Sequence, residues 1–253
     1  MDLKLAGRTA IVTGGAKGIG AGISEVLAGE GCNVAVNYRS RQKEAEEFAQ
    51  NLKRKYQVEA VAVQADVSKE EEAQALFDET VRMFGRAEIL INNAAGGYAP
   101  NAFQNISAEE WRTAGEGLLN PAFYMSREFV KYCIGHEQGG HIVNILSKSA
   151  ILSSSVNNLA YVANKGALTA LTRGMAKEFI QYGIYVNGIV PGYVRTERLH
   201  IDGEERTERV KKLLPAGEFA QPQDIGRAAA VLASPLFSQM IGAVVDCTGG
   251  TLI

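Results

Sequence analysis

The sequence predicts one α/β domain over residues 1–253, with a doubly wound, mainly parallel sheet of seven strands and helices on both faces. Short runs rich in β-branched residues recur along the chain, and longer stretches of helical period lie between them. The strand-like runs are 9–14, 33–38, 60–65, 88–93, 141–146, 185–190 and 243–248. Apolar strands that alternate with helices are typical of a parallel sheet covered on both sides. We find neither a low-complexity linker nor an internal repeat, so we interpret the chain as a single domain.

Composition and charge narrow the class of protein and its partners. Hydrophobic residues make up 46% of the chain and charged residues 21%, as in an ordinary globular protein. The net charge of -2 argues against nucleic acid or an anionic membrane as the main partner. No apolar run approaches the roughly 20 residues that span a bilayer, and the N-terminus lacks the features of a secretory signal. We therefore expect a cytoplasmic protein with no nucleic-acid or membrane partner.

Cysteine and histidine form no recognisable disulfide or metal pattern. The three cysteines and three histidines are widely spaced, at Cys32, Cys133, Cys247, His136, His141 and His200. An odd number of distant cysteines does not suggest a disulfide framework, and the histidines lack the spacing of metal ligands. We expect no metal site.

A glycine-rich turn follows the first predicted strand. The stretch TGGAKGIG places Gly14, Gly18 and Gly20 at the turn and at the start of the next helix. Glycines in such a turn let the backbone approach a pyrophosphate, whose charge is stabilised at the helix N-terminus. The alternative is a tight strand-to-helix connection without a ligand. The position after the first of seven strands favours a dinucleotide site.

The end of the second predicted strand favours NADP(H) as the cofactor. A site selective for NAD needs an acidic residue about 20 positions after the glycine turn, where it binds the ribose hydroxyls. Here the strand ends in NYRSR, and the first acidic residue is Glu44. Lys17 in the turn, together with Arg39 and Ser40 at the strand end, suits a 2′-phosphate instead, since Arg binds phosphate through two parallel hydrogen bonds. The alternative is that these side chains are ordinary solvated groups.

The pentapeptide YVANK places a tyrosine and a lysine four positions apart. Of the nine tyrosines, only Tyr161 has a lysine at that distance, Lys165. A phenol has a pKa near 10 and is a poor base at neutral pH, but a cation on the same helix face favours the phenolate. Lowering that pKa by ~3 units takes ~4 kcal/mol of differential stabilisation. The pair is either a surface contact or a device for moving protons, and the other motifs favour the second interpretation.

Five motifs in order resemble those of the short-chain dehydrogenase/reductase family, and the resemblance covers nearly the whole chain. They are TGxxxGxG at 13–20, the acid Asp66 with Val67 after the third strand, an NNAG-like stretch at 92–96, YxxxK at 161–165 and PGxxxT at 191–196. The resemblance implies a Rossmann-like domain, a nicotinamide cofactor and hydride transfer to or from a carbonyl carbon. It also implies a homotetramer or homodimer. It is greatest to bacterial 3-oxoacyl-thioester reductases and glucose-dehydrogenase-like members.

The resemblance also assigns roles to individual residues. Tyr161 would exchange a proton with the substrate oxygen, and Lys165 would bind the nicotinamide ribose. Further cofactor contacts are implied for Ile19, Asp66, Val67, Asn93 and Thr196. Milder interpretations are that Asn93 ties adjacent strands together, Asp66 caps a turn and Thr196 caps a helix.

A serine hydroxyl is expected opposite the tyrosine, where it would hold the substrate oxygen. In the family this serine lies 13 residues before the tyrosine, a position that is Lys148 here. Ser147 matches if one residue is inserted before Tyr161, and Ser149 is the alternative. We favour Ser147 because the strand HIVNIL aligns without a gap up to it.

One position departs from the family pattern. The family has an asparagine seven residues after a tryptophan, and counting from Trp111 gives Leu118. Asn120 is close, but two residues turn a helix by ~200°, so its side chain faces nearly the other way. Pro121 has no N–H and should break the helix. We hypothesise that a free main-chain carbonyl of Gly117 or Leu118 replaces the missing side chain in a proton relay.

The long stretch 193–220 is charged and shows no clear period, so we expect an irregular loop that acts as a lid over the substrate. The sequence as a whole favours an NADP(H)-dependent oxidoreductase acting on a carbonyl or secondary alcohol, most like a 3-oxoacyl-thioester reductase. The alternatives are an NAD(P)-dependent sugar or polyol dehydrogenase and a catalytically quiet dinucleotide-binding sensor or partner subunit. Tyr161 and Lys165 argue against the quiet protein, whereas Leu118 argues for it.

Overall fold

The fold is built on seven parallel strands, in a computed structural model that describes residues 1–152, 156–197, 199, 204–212 and 214–252. The strands are β1 (Thr9–Val12), β2 (Asn33–Tyr38), β3 (Ala60–Gln64), β4 (Ile89–Asn92), β5 (Gly140–Ile145), β6 (Ile184–Pro191) and β7 (Val244–Cys247). Their order in the sheet is β3-β2-β1-β4-β5-β6-β7, and every neighbouring pair is parallel. The expected doubly wound, seven-stranded sheet is confirmed.

Helices cover both faces of the sheet. They are α1 (Gly18–Gly29), α2 (Gln42–Tyr56), α3 (Glu70–Phe84), α4 (Ala108–Leu118), α5 (Asn120–Gly135), α6 (Ser149–Leu152), α7 (Leu159–Phe179), α8 (Glu204–Lys212) and α9 (Pro222–Ala233). Because successive strand residues face opposite sides, Ala10 and Val12 join an apolar core with α1, α2 and α9, whereas Ile11 joins one with α3, α5 and α7. In the part of the chain that the structure describes, no helix combines the length and apolar character needed to span a bilayer.

The strand order reverses beside β1, which creates a crevice at the carboxyl ends of the strands. The chain runs outward from β1 to β3 and then returns to the other side of β1 as β4. In doubly wound folds the loops diverge at such a reversal, and ligands bind in the resulting crevice. The glycine-rich turn after β1 and the loop after β4 therefore line one candidate site.

The segment 193–220, expected to be irregular, contains a helix, and its two ends are hydrogen-bonded to each other; we call these paired ends the base of the segment. Val194 and Ala220 form an isolated parallel bridge. The N–H of Arg195 donates to the Ala220 carbonyl at 2.8 Å, and the N–H of Ala220 donates to the Tyr193 carbonyl at 3.0 Å. Between these residues lies α8, whose sequence EERTERVKK has a single apolar residue. The expectation of an irregular stretch was wrong because a helix without an apolar stripe leaves no periodic signal.

Candidate active site

Side-chain hydrogen bonds fasten the glycine-rich turn to the loop after β4. The Thr13 hydroxyl accepts the N–H groups of Asn93 and Ala94 at 2.9 and 3.0 Å. The amide nitrogen of Asn93 donates to the carbonyls of Thr13 and Gly14 at 2.9 and 3.2 Å. Asn93 thus ties the ends of two neighbouring strands together, as in the milder interpretation of this residue. Its contact with a cofactor stays a prediction.

Asn37 holds the same turn from the side of β2, a role that the sequence analysis missed. Its Oδ1 accepts the N–H of Gly14 at 3.1 Å, and its main-chain carbonyl accepts the N–H of Gly15 at 2.9 Å. Its amide nitrogen donates to the Ala65 carbonyl at 3.1 Å. The available signal was an asparagine near the end of an otherwise apolar strand. The turn is therefore held in shape from both neighbouring strands.

The turn and the start of α1 form a cradle that fits a pyrophosphate. Gly14 and Gly18 have φ values of +61° and +54°, a left-handed conformation that glycine adopts readily. A Cβ on Gly18 would lie 3.5 Å from the Thr196 methyl group, so these two residues face each other. Lys17 is the N-cap of α1, and no described side chain caps the helix, which leaves its first N–H groups available to an anion. Ile19 is half-buried against the core.

The polar side chains expected to select the cofactor lie at the carboxyl ends of β1 and β2, which are neighbouring strands. Lys17, Arg39 and Ser40 are all exposed at this edge of the sheet. Arg41 lies 3.2 and 3.5 Å from two carboxylates, whereas Arg39 lies 4.0 Å from only one, that of Asp66. Lys17 and Arg39 are therefore the cations that best suit a phosphate at this end of the crevice.

Asp66, after β3, caps a turn. One oxygen of its carboxylate accepts the N–H and the hydroxyl of Ser68 at 3.2 and 2.7 Å, and the other lies 4.0 Å from Arg39 Nη1. Partial burial opposes ionisation, but the Ser68 hydrogen bonds and the Arg39 cation hold the pKa of Asp66 below its ordinary value. The side chain of Val67 is buried in the core, which leaves its main chain for any cofactor contact. Adenine contact by this pair stays a prediction.

Tyr161 and Lys165 lie in the first two turns of α7, on one face of the helix. Lys165 is only 4% exposed, and its Nζ donates to the carbonyl of Ile145, the last residue of β5, at 2.7 Å. This hydrogen bond holds a buried ammonium group at the carboxyl edge of the sheet. The structure therefore brings the YxxxK pair to the same edge as the glycine-rich turn.

A cavity of about 380 Å³, which the sequence analysis did not predict, opens beside Tyr161. Its wall includes Ala160 and Tyr98, and the Tyr98 ring stacks on that of Tyr161 with the centroids 5.0 Å apart. Polar side chains also line it, namely Asn101, Glu109, Glu110, Thr113, Asn157 and Asn158. Ile106 and Leu159 belong to the same wall, so the cavity surface is mainly apolar and hydrogen-bonding groups occupy a smaller part of it.

The two candidate serines lie together at the end of β5. Ser147 and Ser149 are both buried, and the N–H of Ser149 donates to the Ser147 hydroxyl oxygen at 3.2 Å. That bond uses an acceptor position of Ser147 and leaves its proton to be donated. Ser149 begins α6. This geometry suits Ser147 as a donor to a substrate oxygen, and the assignment stays a prediction.

The helix break required by Pro121 is confirmed, but the free carbonyl at Gly117 is not. One helix ends at Leu118 and the next begins at Asn120. The Gly117 carbonyl, which Pro121 cannot satisfy, accepts the N–H of Gly96 at 3.0 Å. The hypothesis was wrong at Gly117 because the loop after β4 supplies the missing donor.

Leu118 presents an apolar side chain to the start of α7. It is 1% exposed and packs in a small apolar cluster that includes Ala160 and Tyr161. A different amide faces α4 one turn earlier: Asn164 Oδ1 lies 3.6 Å from where a Cβ on Gly115 would be. The Asn164 nitrogen donates to the Ala160 carbonyl at 2.8 Å. The polar group near this part of α4 thus comes from α7.

Comparisons with known proteins agree with this architecture. A family model described as enoyl-(acyl carrier protein) reductase matches residues 14–251. Glucose 1-dehydrogenase 2 of Bacillus subtilis (strain 168) is 34% identical over 248 residues, which are 97% of this chain and 95% of that protein. The 3-oxoacyl-[acyl-carrier-protein] reductase FabG of Aquifex aeolicus (strain VF5) is 30% identical over 250 residues, 99% of each chain.

A solved structure extends the likeness to the backbone. A 7α-hydroxysteroid dehydrogenase complexed with NADH and 7-oxo glycochenodeoxycholic acid matches with a TM-score of 0.87 and 31% identity, over 98% of this chain and 96% of that one. The family resemblance inferred from the five motifs is confirmed. The chain is an oxidoreductase that acts on CH–OH and C=O groups, and it belongs to the short-chain dehydrogenase/reductase family.

Proposed function

We propose that this enzyme transfers a hydride between NADP(H) and a carbonyl or secondary alcohol, with Tyr161, Lys165 and Ser147 acting on the substrate oxygen. The observation that carries the proposal is the 2.7 Å hydrogen bond from Lys165 Nζ to the Ile145 carbonyl. It keeps a buried cation at the crevice, one helical turn from Tyr161. A buried ammonium in this position favours an active enzyme over a catalytically quiet dinucleotide-binding sensor.

The cofactor, when bound, supplies or accepts the hydride at its nicotinamide ring. The turn 14–18 and the N-terminus of α1 would hold its pyrophosphate, with Thr196 opposite. Lys17, Arg39 and Ser40 would hold the 2′-phosphate of NADP(H), because no acidic residue ends β2. Asp66, Val67, Ile19 and Asn93 would complete the adenosine and nicotinamide contacts.

Three side chains of the protein would transfer the proton of the substrate oxygen and hold that oxygen in place. The Tyr161 phenol would give its proton to a carbonyl oxygen or take one from an alcohol. The Lys165 ammonium stabilises the phenolate, and because it is anchored to Ile145 it keeps its position when the charge on the phenol changes. Ser147, whose oxygen accepts the N–H of Ser149, would donate its own proton to the substrate oxygen.

Two substrate classes have support. A 3-oxoacyl thioester is the first candidate, since the motifs resemble those of the thioester reductases and the Aquifex reductase is 30% identical. A sugar or polyol is the second, because amide and hydroxyl side chains such as Asn158 and Thr113 occupy part of the cavity wall beside Tyr161 and could bind substrate hydroxyls. The Bacillus glucose dehydrogenase, 34% identical, supports this second candidate.

Turnover of NADPH with 3-oxoacyl thioesters, and of NADP⁺ with glucose and other polyols, separates these candidates. Tyr161→Phe is the matched control, and we expect it to lower kcat by at least ~100-fold while cofactor binding persists. A wild-type protein that binds NADPH tightly but turns over no carbonyl or alcohol would contradict the proposal and favour the sensor. Near-normal turnover in Tyr161→Phe would contradict the assigned mechanism.

We also propose that the enzyme is a cytoplasmic homotetramer or homodimer. Trp111 on α4 and Phe123 on α5 are 49% and 43% exposed, and large exposed aromatic side chains are typical of an interface. Sedimentation velocity at several protein concentrations would measure the mass of the assembly. A monomer at micromolar concentration would refute this part.

A further inference from the structure

Lys148 is a half-buried cation whose partner is an aromatic ring rather than a carboxylate. It directly follows Ser147, and its Nζ lies 3.6 Å from the centroid of the Tyr193 ring. Among the described residues, no carboxylate lies within ion-pair distance of this nitrogen. Lysines elsewhere, such as Lys55 and Lys69, are paired with glutamates at 2.8 Å. Other lysines, such as Lys17 and Lys43, also lack an ion pair among the described residues, but they are exposed, whereas Lys148 is half-buried.

In the described part of the chain, no residue compensates the Lys148 ammonium with a charge of opposite sign. Partial burial removes water from the Lys148 ammonium and lowers its pKa. The contact with the Tyr193 ring compensates only part of the solvation free energy that the ammonium group loses, because a cation–π contact is weaker than a charged hydrogen bond. A methionine would fill the same space without a charge to desolvate. An anionic group of a bound ligand would stabilise the Lys148 ammonium in place of the water that burial removes.

Lys148 lies close to the candidate catalytic residues along the chain, because it directly follows Ser147. Ser147 and Tyr193 follow β5 and β6, which are neighbouring parallel strands. Tyr193 also belongs to the base of the 193–220 segment, where its carbonyl accepts the N–H of Ala220 at 3.0 Å and its ring packs on Phe219. Lys148 thus lies between the candidate catalytic serine and the base of the candidate lid.

We propose that Lys148 binds a carboxylate that the substrate carries close to its reacting carbonyl, so that the substrate is an oxo acid or, in the reverse direction, a hydroxy acid, rather than a neutral thioester or an uncharged sugar. The inference rests on the proposed function, because it places the reacting carbon at Tyr161 and Ser147. One ammonium group matches the single charge of a carboxylate, whereas a phosphate dianion calls for a second cation. Lys165, the other lysine beside the candidate catalytic serine and tyrosine, is anchored to the Ile145 carbonyl.

The matched probes are 3-oxobutanoate and its methyl ester, which share the ketone and differ in the charge. The full-length protein, with NADPH, is assayed as wild type, Lys148→Met and Lys148→Arg. Lys53→Met is the control for loss of a lysine, since Lys53 pairs with Glu59 at 2.7 Å at the far end of α2. The measured quantity is the ratio of kcat/KM for the acid to that for the ester, which cancels effects common to both probes.

We expect the wild type to favour the acid by about 30-fold, the scale of one charge-assisted hydrogen bond in a partly desolvated site. Lys148→Met should reduce the ratio to near one, mainly by raising KM for the acid, whereas Lys148→Arg should retain part of it. Lys53→Met should keep the wild-type ratio. A wild-type ratio near one, or an unchanged ratio in Lys148→Met, would overturn the proposal.

Two further measurements do not depend on turnover. Calorimetry in the presence of NADPH should show 3-hydroxybutanoate binding the wild type more tightly than 3-hydroxybutanamide, and this difference should vanish in Lys148→Met. If neither these probes nor any carbonyl or alcohol of the wider panel is turned over but the binding difference is present, the proposed function fails and the carboxylate site stands. If ester and acid are reduced alike, the proposed function stands and the carboxylate site fails. A lower midpoint of thermal unfolding in Lys148→Met, with selectivity unchanged, would make Lys148 a structural residue and also overturn the proposal.

Discussion

The ring of Tyr98 stacks on the ring of Tyr161, with centroids 5.0 Å apart and planes inclined by 28°. Tyr98 lies in the loop after β4, where Gly97 has a φ of +74° and the N–H of Gly96 donates to the Gly117 carbonyl. The loop is thus tied to the break between α4 and α5. Through this loop, the helix break and the orientation of the candidate catalytic phenol are connected.

Removal of the Tyr98 ring should therefore make the orientation of the Tyr161 ring less well defined. We expect Tyr98→Ala to lower kcat by about 5- to 10-fold, because an aromatic pair contributes ~1 kcal/mol beyond the area it buries. Tyr98→Phe should stay within about twofold of wild type, since it keeps the ring. Steady-state kinetics with the best substrate of the panel measures both variants. The control is Tyr182→Ala, which removes an exposed tyrosine just after the C-terminal end of α7. Equal activity in Tyr98→Ala and wild type would mean that the stacking has no role in catalysis.

The two serines make a paired prediction. Ser147→Ala should lower kcat by about 100-fold, as for a lost donor to a developing oxyanion. Ser149→Ala should have a small effect, because its main-chain N–H, which is retained, is the group that contacts Ser147. Single-turnover rates with saturating NADPH measure the chemical step directly. The opposite ranking would assign the donor role to Ser149.

Cofactor preference can be tested at Arg39. We expect NADP(H) to bind at least ~10-fold more tightly than NAD(H), about 1.4 kcal/mol. Arg39→Asp should erode or reverse that preference, because it removes a cation and supplies an acid that can bind ribose hydroxyls. Fluorescence titration of both reduced cofactors gives the two dissociation constants, with Arg54→Asp on α2 as the control for the change of charge. Equal affinities in the wild type would refute the preference.

The elements and the positions of the motifs could be predicted because local pattern determines them. Runs such as NVAVNY and HIVNIL are rich in apolar residues and buried on both faces, as expected for strands between two layers of helices. The YxxxK pair lies on one helix face by geometry alone. The helix break at Pro121 follows from a missing N–H.

The contacts between distant segments could not be predicted in the same way. The stacking of Tyr98 on Tyr161 and the bond between Gly96 and Gly117 join a loop to helices far along the chain. No periodicity links such positions, so one sequence carries no signal for them. Asn37 did stand out as a polar residue near the end of an apolar strand, but nothing in the sequence indicates that its partner is Gly14.

Stability should depend on pH through His141, a buried histidine of β5. It is 5% exposed, its ring stacks on Tyr185, and its Nδ1 has no hydrogen-bond partner among the described residues. Burial, with a contribution from the Arg8 cation, lowers the pKa of His141 to about 4. The unfolded chain has the ordinary value of about 6.5. Between pH 6.5 and pH 4, the His141 imidazole is protonated in the unfolded state but stays neutral in the folded state. The stability that is present above pH 6.5 is therefore lost as the pH falls toward 4.

We expect His141 to contribute a loss of roughly 3 kcal/mol in the free energy of unfolding between pH 7.5 and pH 4. His141→Phe, which keeps an aromatic ring against Tyr185, should remove most of that loss. Urea unfolding followed by circular dichroism at several pH values measures it, with the exposed His136→Gln as the control. An identical pH dependence in wild type and His141→Phe would show that other groups cause the loss.

Leu118 occupies the position of the asparagine in the family pattern, so a substitution there tests whether this enzyme needs that side chain for catalysis. The Lys165 ammonium is held by the Ile145 carbonyl, a contact that does not involve position 118. An asparagine side chain there would enter an apolar cluster with Ala114 and Ala160. Burying an amide without a partner destabilises a protein by roughly 1–3 kcal/mol.

We therefore expect Leu118→Asn to lower the free energy of unfolding by about 2 kcal/mol while kcat at 25 °C stays within about threefold of wild type. Leu118→Met, which conserves volume, is the control and should cost less than about 1.5 kcal/mol. Denaturant unfolding and steady-state kinetics on the same preparations separate stability from turnover. A rise of tenfold or more in kcat for Leu118→Asn would show that a missing polar group at this position limits the wild-type enzyme. A stability equal to wild type would show instead that the amide finds partners near Tyr161, because an amide buried without partners could not be accommodated there at no cost.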